Sequence, residues 1–388
     1  MRDDVLIAGA GLTAARIAQS YREAGGTGRV TLLGSERHPP YHRPPLTKRL
    51  LRGEADPPET FVASADELEQ LKVELRLETP IASLDLGRRE VTLESGEPVP
   101  YDRLAIATGA APRTLPVPGA ELEGVRTLRT LDDSMGLREA ADDAKRVVVI
   151  GTGFIGLEVT ASLRARGVEV TIVDAATAPF QALGAPVFSD FLTDLYGQHG
   201  VELLLGDGIE QFAGNGRVQS VRTASGRDVD ADLVVVGVGV APSTGWLEGS
   251  GLELDNGVVV DSRFHASAED VFAAGDVANF EDPIFKRRRR IEHWANADYQ
   301  GRLLGKVLAG ESVAYDRVSA FFTELFGTVY RFFGDSTGTD RQEVEGSFPD
   351  GRAIVRYFEG ERLRAALATG LEDPEQEEIE GRIREDAA

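Results

Sequence analysis

The chain alternates short unbroken apolar runs with longer stretches in which apolar residues recur every three or four positions. Val5–Ala8 and Val30–Leu33 are runs of the first kind, and the segment after the first of them, through about Arg22, carries the second pattern. An unbroken apolar run suits a strand buried on both faces, and a 3.6-residue recurrence suits a helix packed over it. The spacing therefore predicts strand, helix, strand. The order returns later: Arg146–Ile150 reads as strand, the stretch to about Arg166 as helix, and residues 168–173 as strand. Between the two units, residues 91–93, a Ser95-Gly96 turn and residues 101–109 read as a hairpin or meander leading into a buried strand. Residues 232–239 and 270–277 have the same buried-strand character, and a polar helical stretch covers about residues 295–308. Residues 352–357 and 362–368 alternate like the arms of a hairpin. From Leu371 the tail is acidic, with Glu375, Glu377, Glu378 and Glu380, and reads as solvated surface, helical or frayed.

What stands at the strand ends gives these units a chemistry. The first strand runs into Gly9-Ala10-Gly11-Leu12-Thr13-Ala14, and the later one into Gly151-Thr152-Gly153-Phe154-Ile155-Gly156. A glycine turn between a strand and a helix is the device that holds a dinucleotide pyrophosphate. Gly9 allows the tight turn, Gly11 lets the backbone approach the anion, and Ala14 is small enough for helix and strand to pack closely. The helix then offers its first N–H groups to the phosphates. The second segment matches the motif in full. Each unit closes near an acid, Glu36 or Asp174, that can accept hydrogen bonds from a ribose. A single motif also occurs as a plain glycine-rich turn; two, each in strand–helix–strand context, point to two dinucleotide sites. Asp174 would bond the 2′-hydroxyl of NADH and repel the 2′-phosphate of NADPH. Residues 175–216 contain no Lys or Arg to compensate. The plainer alternative is an acidic strand end with no such role.

Composition narrows the reading. A length of 388 residues suits two or three domains at roughly 150 residues each. The chain has no cysteine, which excludes a disulfide framework, thiolate metal ligands, a cysteine-held iron–sulfur cluster and a catalytic thiol. The five histidines are too scattered to suggest a metal site. A net charge of −22 argues against general nucleic-acid binding. The first apolar run is too short for a signal peptide, and no run approaches the ~20 residues of a membrane span. The expectation is a soluble cytoplasmic protein. Against this acidity, Lys286, Arg287, Arg288, Arg289 and Arg290 stand in one unbroken run.

The order of the segments resembles the two-dinucleotide flavoprotein oxidoreductases, in which the first unit binds FAD and the second, inserted unit binds NAD(P)H. The strand ending in Thr108-Gly109 and the Gly275-Asp276 segment match the parts that return the chain to the FAD domain. A narrower similarity rests on Pro40-Tyr41-His42-Arg43-Pro44-Pro45-Leu46-Thr47-Lys48, on Leu128-Arg129-Thr130-Leu131, and on Arg290-Ile291-Glu292-His293-Trp294-Ala295-Asn296-Ala297. These look like the ferredoxin reductases of the putidaredoxin reductase type, which serve bacterial dioxygenases and cytochrome monooxygenases. Apoptosis-inducing factor is a relative with the same frame. The similarity extends over nearly the whole chain to about residue 335. It implies an α/β fold with two Rossmann-like dinucleotide-binding domains and a small α+β C-terminal domain. The FAD domain would take residues 1–112 and 239–314, the NAD domain 113–238, and the C-terminal domain 315–388.

Residue roles follow from the same resemblance. Gly9, Gly11, Ala14 and Glu36 would hold the adenosine and pyrophosphate of FAD, and Arg43 and Lys48 would lie along the cofactor. Thr108, Gly109, Arg129, Gly239, Gly275, His293 and Trp294 would line cofactor sites, and Asp276 would bond the ribitol chain, with a helix N-cap as its plainer alternative. Gly151, Gly153, Gly156 and Asp174 would hold NADH. Lys48 and Glu158 would pair where nicotinamide meets flavin; the bland reading of Glu158 is an acid stabilising a first helical turn. The run from Lys286 to Arg290 would dock an acidic electron carrier, or else form a solvated loop with local ion pairs. Residues 320–326 lie where the reductases carry Trp-x-Trp followed by Ser-Asp; here Phe321 or Phe322 would cover the flavin, or both would be ordinary core. The implied activity is hydride transfer from NADH to FAD, then electron transfer to a two-iron ferredoxin, by a monomer or homodimer. Another acceptor, such as rubredoxin or a quinone, and an NADH-sensing interaction protein like apoptosis-inducing factor are the alternatives.

Overall fold

Every buried run read from the sequence is a strand of a parallel sheet in the computed structural model, which describes residues 3–387. The chain divides into two units. One comprises the chain up to His42, Pro58–Ala111 and Ala241–Ser319; the other comprises Arg43–Pro57, Pro112–Val240 and the chain from Ala320 onward.

The first unit is built on a five-stranded sheet in the order Val271–Ala273, Arg103–Ile106, Val5–Ala8, Val30–Leu33, Val73–Arg76. All four pairings are parallel. Val5–Ala8 and Val30–Leu33 are buried at every position, as a sheet covered on both faces requires. The Leu12–Glu23 helix crosses the Trp294–Leu308 helix with backbones nearly touching. A Cβ on Gly301 would lie 2.7 Å from the Thr13 carbonyl oxygen, and one on Gly305 would lie 2.6 Å from that of Ile17. Two glycines four residues apart therefore set this crossing. Ser20 Oγ adds a 2.8 Å hydrogen bond to the Arg302 carbonyl, and Arg16 an ion pair of 2.5 Å to Asp298. The expected meander is present as Ile81–Asp85, Glu90–Leu93 and Pro98–Pro100, antiparallel throughout.

The cationic run is a strand rather than a solvated loop. Arg287–Arg290 pairs antiparallel with Ala278–Asp282. Arg289 reaches the fully buried Asp282 at 3.5 Å and also bonds the Ser319 hydroxyl. Arg288 donates to the carbonyls of Val260 at 2.6 Å and Asn279 at 2.7 Å, while Arg290 pairs with Glu292 at 2.5 Å.

The second unit holds a parallel sheet in the order Glu202–Leu205, Glu169–Asp174, Arg146–Ile150, Leu233–Val236, Val125–Arg126. The same unit holds a five-stranded antiparallel sheet, ordered Ala320–Leu325, Thr328–Gly334, Arg362–Thr369, Arg352–Glu359, Arg341–Ser347. The acidic tail is the Asp373–Ala387 helix, which buries Ile379 and Ile383 and packs on the Arg362–Thr369 strand. Its start is tied by Arg352 to Glu375, whose carboxyl falls to about 2 because of that guanidinium. Its end is tied by Asp386, which accepts from the Leu363 N–H at 2.7 Å.

The segment Arg43–Pro57 belongs to the second unit because of three leucines. Leu46, Leu50 and Leu51 are buried there against the Leu131–Asp143 and Phe154–Ala165 helices. Ser134 Oγ donates to the Leu46 carbonyl at 2.7 Å, and Ser162 Oγ to that of Thr47 at 2.6 Å. No helix among the described residues is long and apolar enough to cross a membrane.

The close helix crossing predicts a specific weakness. Gly301→Val inserts atoms where backbone already sits, and such overpacking costs about 1–3 kcal/mol or more. A lowered thermal midpoint relative to the parent, with Ser20→Ala losing only about 1 kcal/mol, is the expected outcome of parallel melts.

Candidate functional site

Both glycine turns have the shape that an anion cradle needs. Gly9 has φ 124°, and a Cβ there would lie 2.4 Å from the Ala107 carbonyl oxygen. Gly151 repeats this with φ 106° and a Cβ 2.5 Å from the Gly237 carbonyl oxygen. These two positions admit glycine alone. Gly11 and Gly153 differ: a Cβ on either would meet nothing within 4 Å. The space in front of each helix is open. The helices starting at Leu12 and Phe154 also lack a side-chain cap and an acid in the first turn. By contrast, the Ala65–Gln70 and Leu131–Asp143 helices close with full capping boxes, from Ser64 and Thr130. Uncapped N–H groups facing open space suit a bound pyrophosphate. The residues thus fit two dinucleotides.

In the first unit, Ala14 is fully buried and Glu36 lies half-buried beyond the Val30–Leu33 strand, where it accepts a hydrogen bond from the Tyr41 hydroxyl. Thr108 Oγ1 donates to the Ser243 carbonyl at 2.9 Å, and Gly109 takes φ 69°. The Gly275–Val277 turn lies on the start of the first helix. A Cβ on Gly275 would approach Thr13 Oγ1 to 2.4 Å, and the Gly275 N–H donates to Gln300 Oε1 at 2.8 Å. Asp276 is the middle residue of that single turn, so it is not an N-cap; the N-cap position of the following helix is His293, without a side-chain cap. Burial drives the His293 imidazole down to about 4, with Asp276 opposing the shift. Trp294 is 38% exposed, and its Nε1 donates to His42 Nδ1 at 2.8 Å. Burial, with the nearby Arg16 guanidinium, also lowers His42 and favours the neutral ring that this bond needs.

In the second unit, Gly156 sits where a Cβ would be 2.0 Å from the Gly151 carbonyl oxygen, so helix and turn pack without room for a side chain. Asp174 ends its strand and accepts from the Thr152 N–H at 2.6 Å, from the Thr152 hydroxyl and from the Ala176 N–H at 2.9 Å. Gly239 takes φ 96°, and its carbonyl accepts from the Arg113 N–H at 2.9 Å. Arg43 donates to the Arg129 backbone carbonyl, which brings its guanidinium to that segment.

Lys48 Nζ and Glu158 Oε2 are 2.5 Å apart, with side chains 8% and 6% exposed. Glu158 is the fifth residue of the Phe154–Ala165 helix, so the helix-terminus reading of its charge is displaced by a buried ion pair. The sequence did not single out two further partners. Thr47 Oγ1 donates to Glu158 Oε2 at 2.5 Å, and Thr323 Oγ1 to Oε1 at 2.8 Å. Thr47 was accessible as the neighbour of Lys48. Thr323 carried no signal, because its role depends on a strand pairing 165 residues away from Glu158. Phe321 and Phe322 separate by strand alternation. Phe321 packs edge-on to Phe154 and stacked on Phe332, at centroid distances of 4.9 and 5.0 Å. Phe322 is 39% exposed, with Lys48 Nζ 5.9 Å from its ring centre.

Comparison with known proteins agrees with this geometry. The pyridine nucleotide-disulphide oxidoreductase family matches residues 3–301. Rhodocoxin reductase of Rhodococcus erythropolis is 36% identical over 360 residues, 92% of this chain and 84% of that protein. The benzene 1,2-dioxygenase system ferredoxin–NAD(+) reductase subunit of Pseudomonas putida is 33% identical, covering 95% of this chain and 89% of that protein. Among solved structures, the covalent putidaredoxin reductase–putidaredoxin complex aligns with a TM-score of 0.94 at 31% identity, over 98% of this chain and 93% of that one. The chain has none of the cysteines that the family name presupposes. By the extent of the match and the identity to these relatives, the chain belongs to the pyridine nucleotide-disulphide oxidoreductase family, alongside its ferredoxin reductases.

Proposed function

We propose that this chain takes hydride from NADH onto FAD and passes the electrons to a two-iron ferredoxin, in the cytoplasm. The oxidoreductase class and the FAD and NAD(H) cofactors come with the family and with relatives named as ferredoxin reductases. The observation that carries the reading is the pair of open, uncapped helix starts at Gly11 and Gly153 in a chain without cysteine. Two dinucleotides have places to sit, and no redox disulfide stands between donor and acceptor. FAD, when bound, accepts an electron pair from NADH and releases electrons singly, which matches a two-electron donor to a one-electron carrier.

The chain's own residues supply position and charge. The first cradle, with Ala14, Glu36, Thr108, Gly109, Gly275, Asp276, His293 and Trp294, is assigned to FAD. The second, with Gly151, Gly153, Gly156, Asp174 and Gly239, is assigned to NADH. Arg43 and Arg129 are read as phosphate or ring partners of the flavin. Lys48, a buried cation held by Glu158, is assigned to the flavin ring, where a fixed positive charge favours the reduced state. For the carrier, the exposed members of the cationic strand, Lys286, Arg287 and Arg288, are the docking candidates. Arg289 and Arg290 are largely buried and serve their own unit. Local cations of this kind speed encounter with an acidic partner. The boundaries near residues 112, 239 and 315 remain part of this assignment.

Anaerobic mixing with NADH, followed by a two-iron ferredoxin, tests the function: the flavin absorbance should bleach and then return as ferredoxin is reduced. NADH-dependent dimerisation with no reoxidation by ferredoxin would support the sensing alternative instead. Asp174 predicts that NADH outperforms NADPH by about 100-fold in kcat/KM, and that Asp174→Ala narrows the ratio at least tenfold, as measured by steady-state turnover with each nucleotide. Lys48→Ala and Glu158→Ala should each slow flavin reduction tenfold or more. Each also strands a buried charge, with a stability loss of about 3–5 kcal/mol in denaturant titration.

A further inference from the structure

The buried carboxylate of Glu158 is held at both of its oxygens. Oε2 receives Lys48 Nζ and Thr47 Oγ1, each at 2.5 Å, and Oε1 receives Thr323 Oγ1 at 2.8 Å. A carboxylate turns readily about its last bond, so donors on one oxygen leave its plane undefined. A donor on the other oxygen fixes it. The remaining contacts of Lys48 Nζ are long, 3.3 Å to the Pro44 carbonyl and 3.4 Å to Thr47 Oγ1. Bonds of that length orient weakly. The direction of the ammonium is therefore set by Glu158, and the plane of Glu158 by Thr323. Thr47, Lys48, Glu158 and Thr323 are each less than one-tenth exposed, so water does not replace a missing donor.

Thr323 belongs to the Ala320–Leu325 strand, in the segment that departs from the reductase Trp-x-Trp pattern. Strand alternation turns Thr323 inward to Glu158 and leaves Phe322 outward, beside Lys48. One strand thus touches both members of the ion pair.

We propose that Thr323 is a positioning residue for hydride transfer: its hydroxyl fixes the Glu158 carboxylate and, through it, the Lys48 ammonium. The proposal rests on the assignment of Lys48 and Glu158 to the flavin. It makes Thr323 act on the flavin's electronics rather than on NADH binding.

The test is a double-mutant cycle in the flavin-loaded chain. Thr323→Val keeps the shape and removes the hydroxyl. Anaerobic stopped-flow should show the limiting reduction rate down about tenfold, with NADH affinity changed less than twofold. The flavin midpoint potential, read without NADH, should move to a more negative value. Thr323→Ser should recover the rate to within about threefold. On a Glu158→Gln background, Thr323→Val should add less than twofold, because the group it acts through is already altered. A parental rate and potential in Thr323→Val, no recovery by serine, or an equal tenfold loss on both backgrounds would overturn the proposal. Should Thr323→Val not retain flavin, Thr323→Cys takes its place; its weaker S–H donor should give an intermediate rate, and a parental rate would count against the idea. If Glu158→Gln alone reduces at the parental rate, the assignment of the ion pair fails as well. If Glu158→Gln is slow and Thr323→Val is not, only the role of Thr323 is lost.

Discussion

The carboxylate of Glu158 is the point on which the second unit turns. Three segments far apart in the chain meet there: the Thr47-Lys48 pair, the Phe154–Ala165 helix and the Ala320–Leu325 strand. A buried ion pair alone is a poor source of stability, since desolvating two charges cancels much of their attraction. Two hydroxyls change that balance by satisfying the acceptors the ammonium leaves over. The consequence is a cation fixed in a dry setting, where electrostatic influence on a neighbouring redox group is strongest. The leucines of the Arg43–Pro57 segment bring Lys48 to this place and hold the segment within the unit.

The glycine turns show the complementary economy. The Ala65–Gln70 and Leu131–Asp143 helices are capped by the chain's own side chains, Ser64 and Thr130. At Gly11 and Gly153 the chain leaves the N–H groups uncapped and the space in front open. The positive-φ backbone at Gly9 and Gly151, open to glycine, lets each turn pass within carbonyl contact of the segment after the neighbouring strand, at Ala107 and Gly237. The crossing at Gly301 and Gly305 then seats the Trp294–Leu308 helix against the first cradle's own helix, with Gln300 and Gly275 linked beneath it.

Two features of the sequence changed meaning on folding. The cations from Lys286 to Arg290 looked like one patch, yet Lys286, Arg287 and Arg288 are exposed, while Arg289 and Arg290 at the other end of the strand are largely buried among Asp282, Ser319 and Glu292. The divergent residues 320–326 looked like a lost motif, yet alternation gives Phe321 to an aromatic core, Phe322 to the surface and Thr323 to Glu158.

What the sequence determined by itself was local. Glycine spacing between a strand and a helix, unbroken apolar runs and the acids after them are short-range patterns, because backbone sterics and two-sided burial act within a few residues. These patterns located both parallel sheets, the meander near residue 90, the C-terminal hairpin and the positions of Gly9, Gly11, Gly151, Gly153, Gly156, Glu36 and Asp174. Only the tertiary structure decided the partners of buried charges. That Glu158 answers to Thr47 and Thr323, that Arg43 meets Arg129, that Trp294 leans on His42, and that Arg43–Pro57 folds with the second unit all depend on contacts between residues dozens to hundreds of positions apart. Burial makes such groups find a donor or acceptor, but which one they find is fixed by packing, and packing has no signature in a local window of sequence.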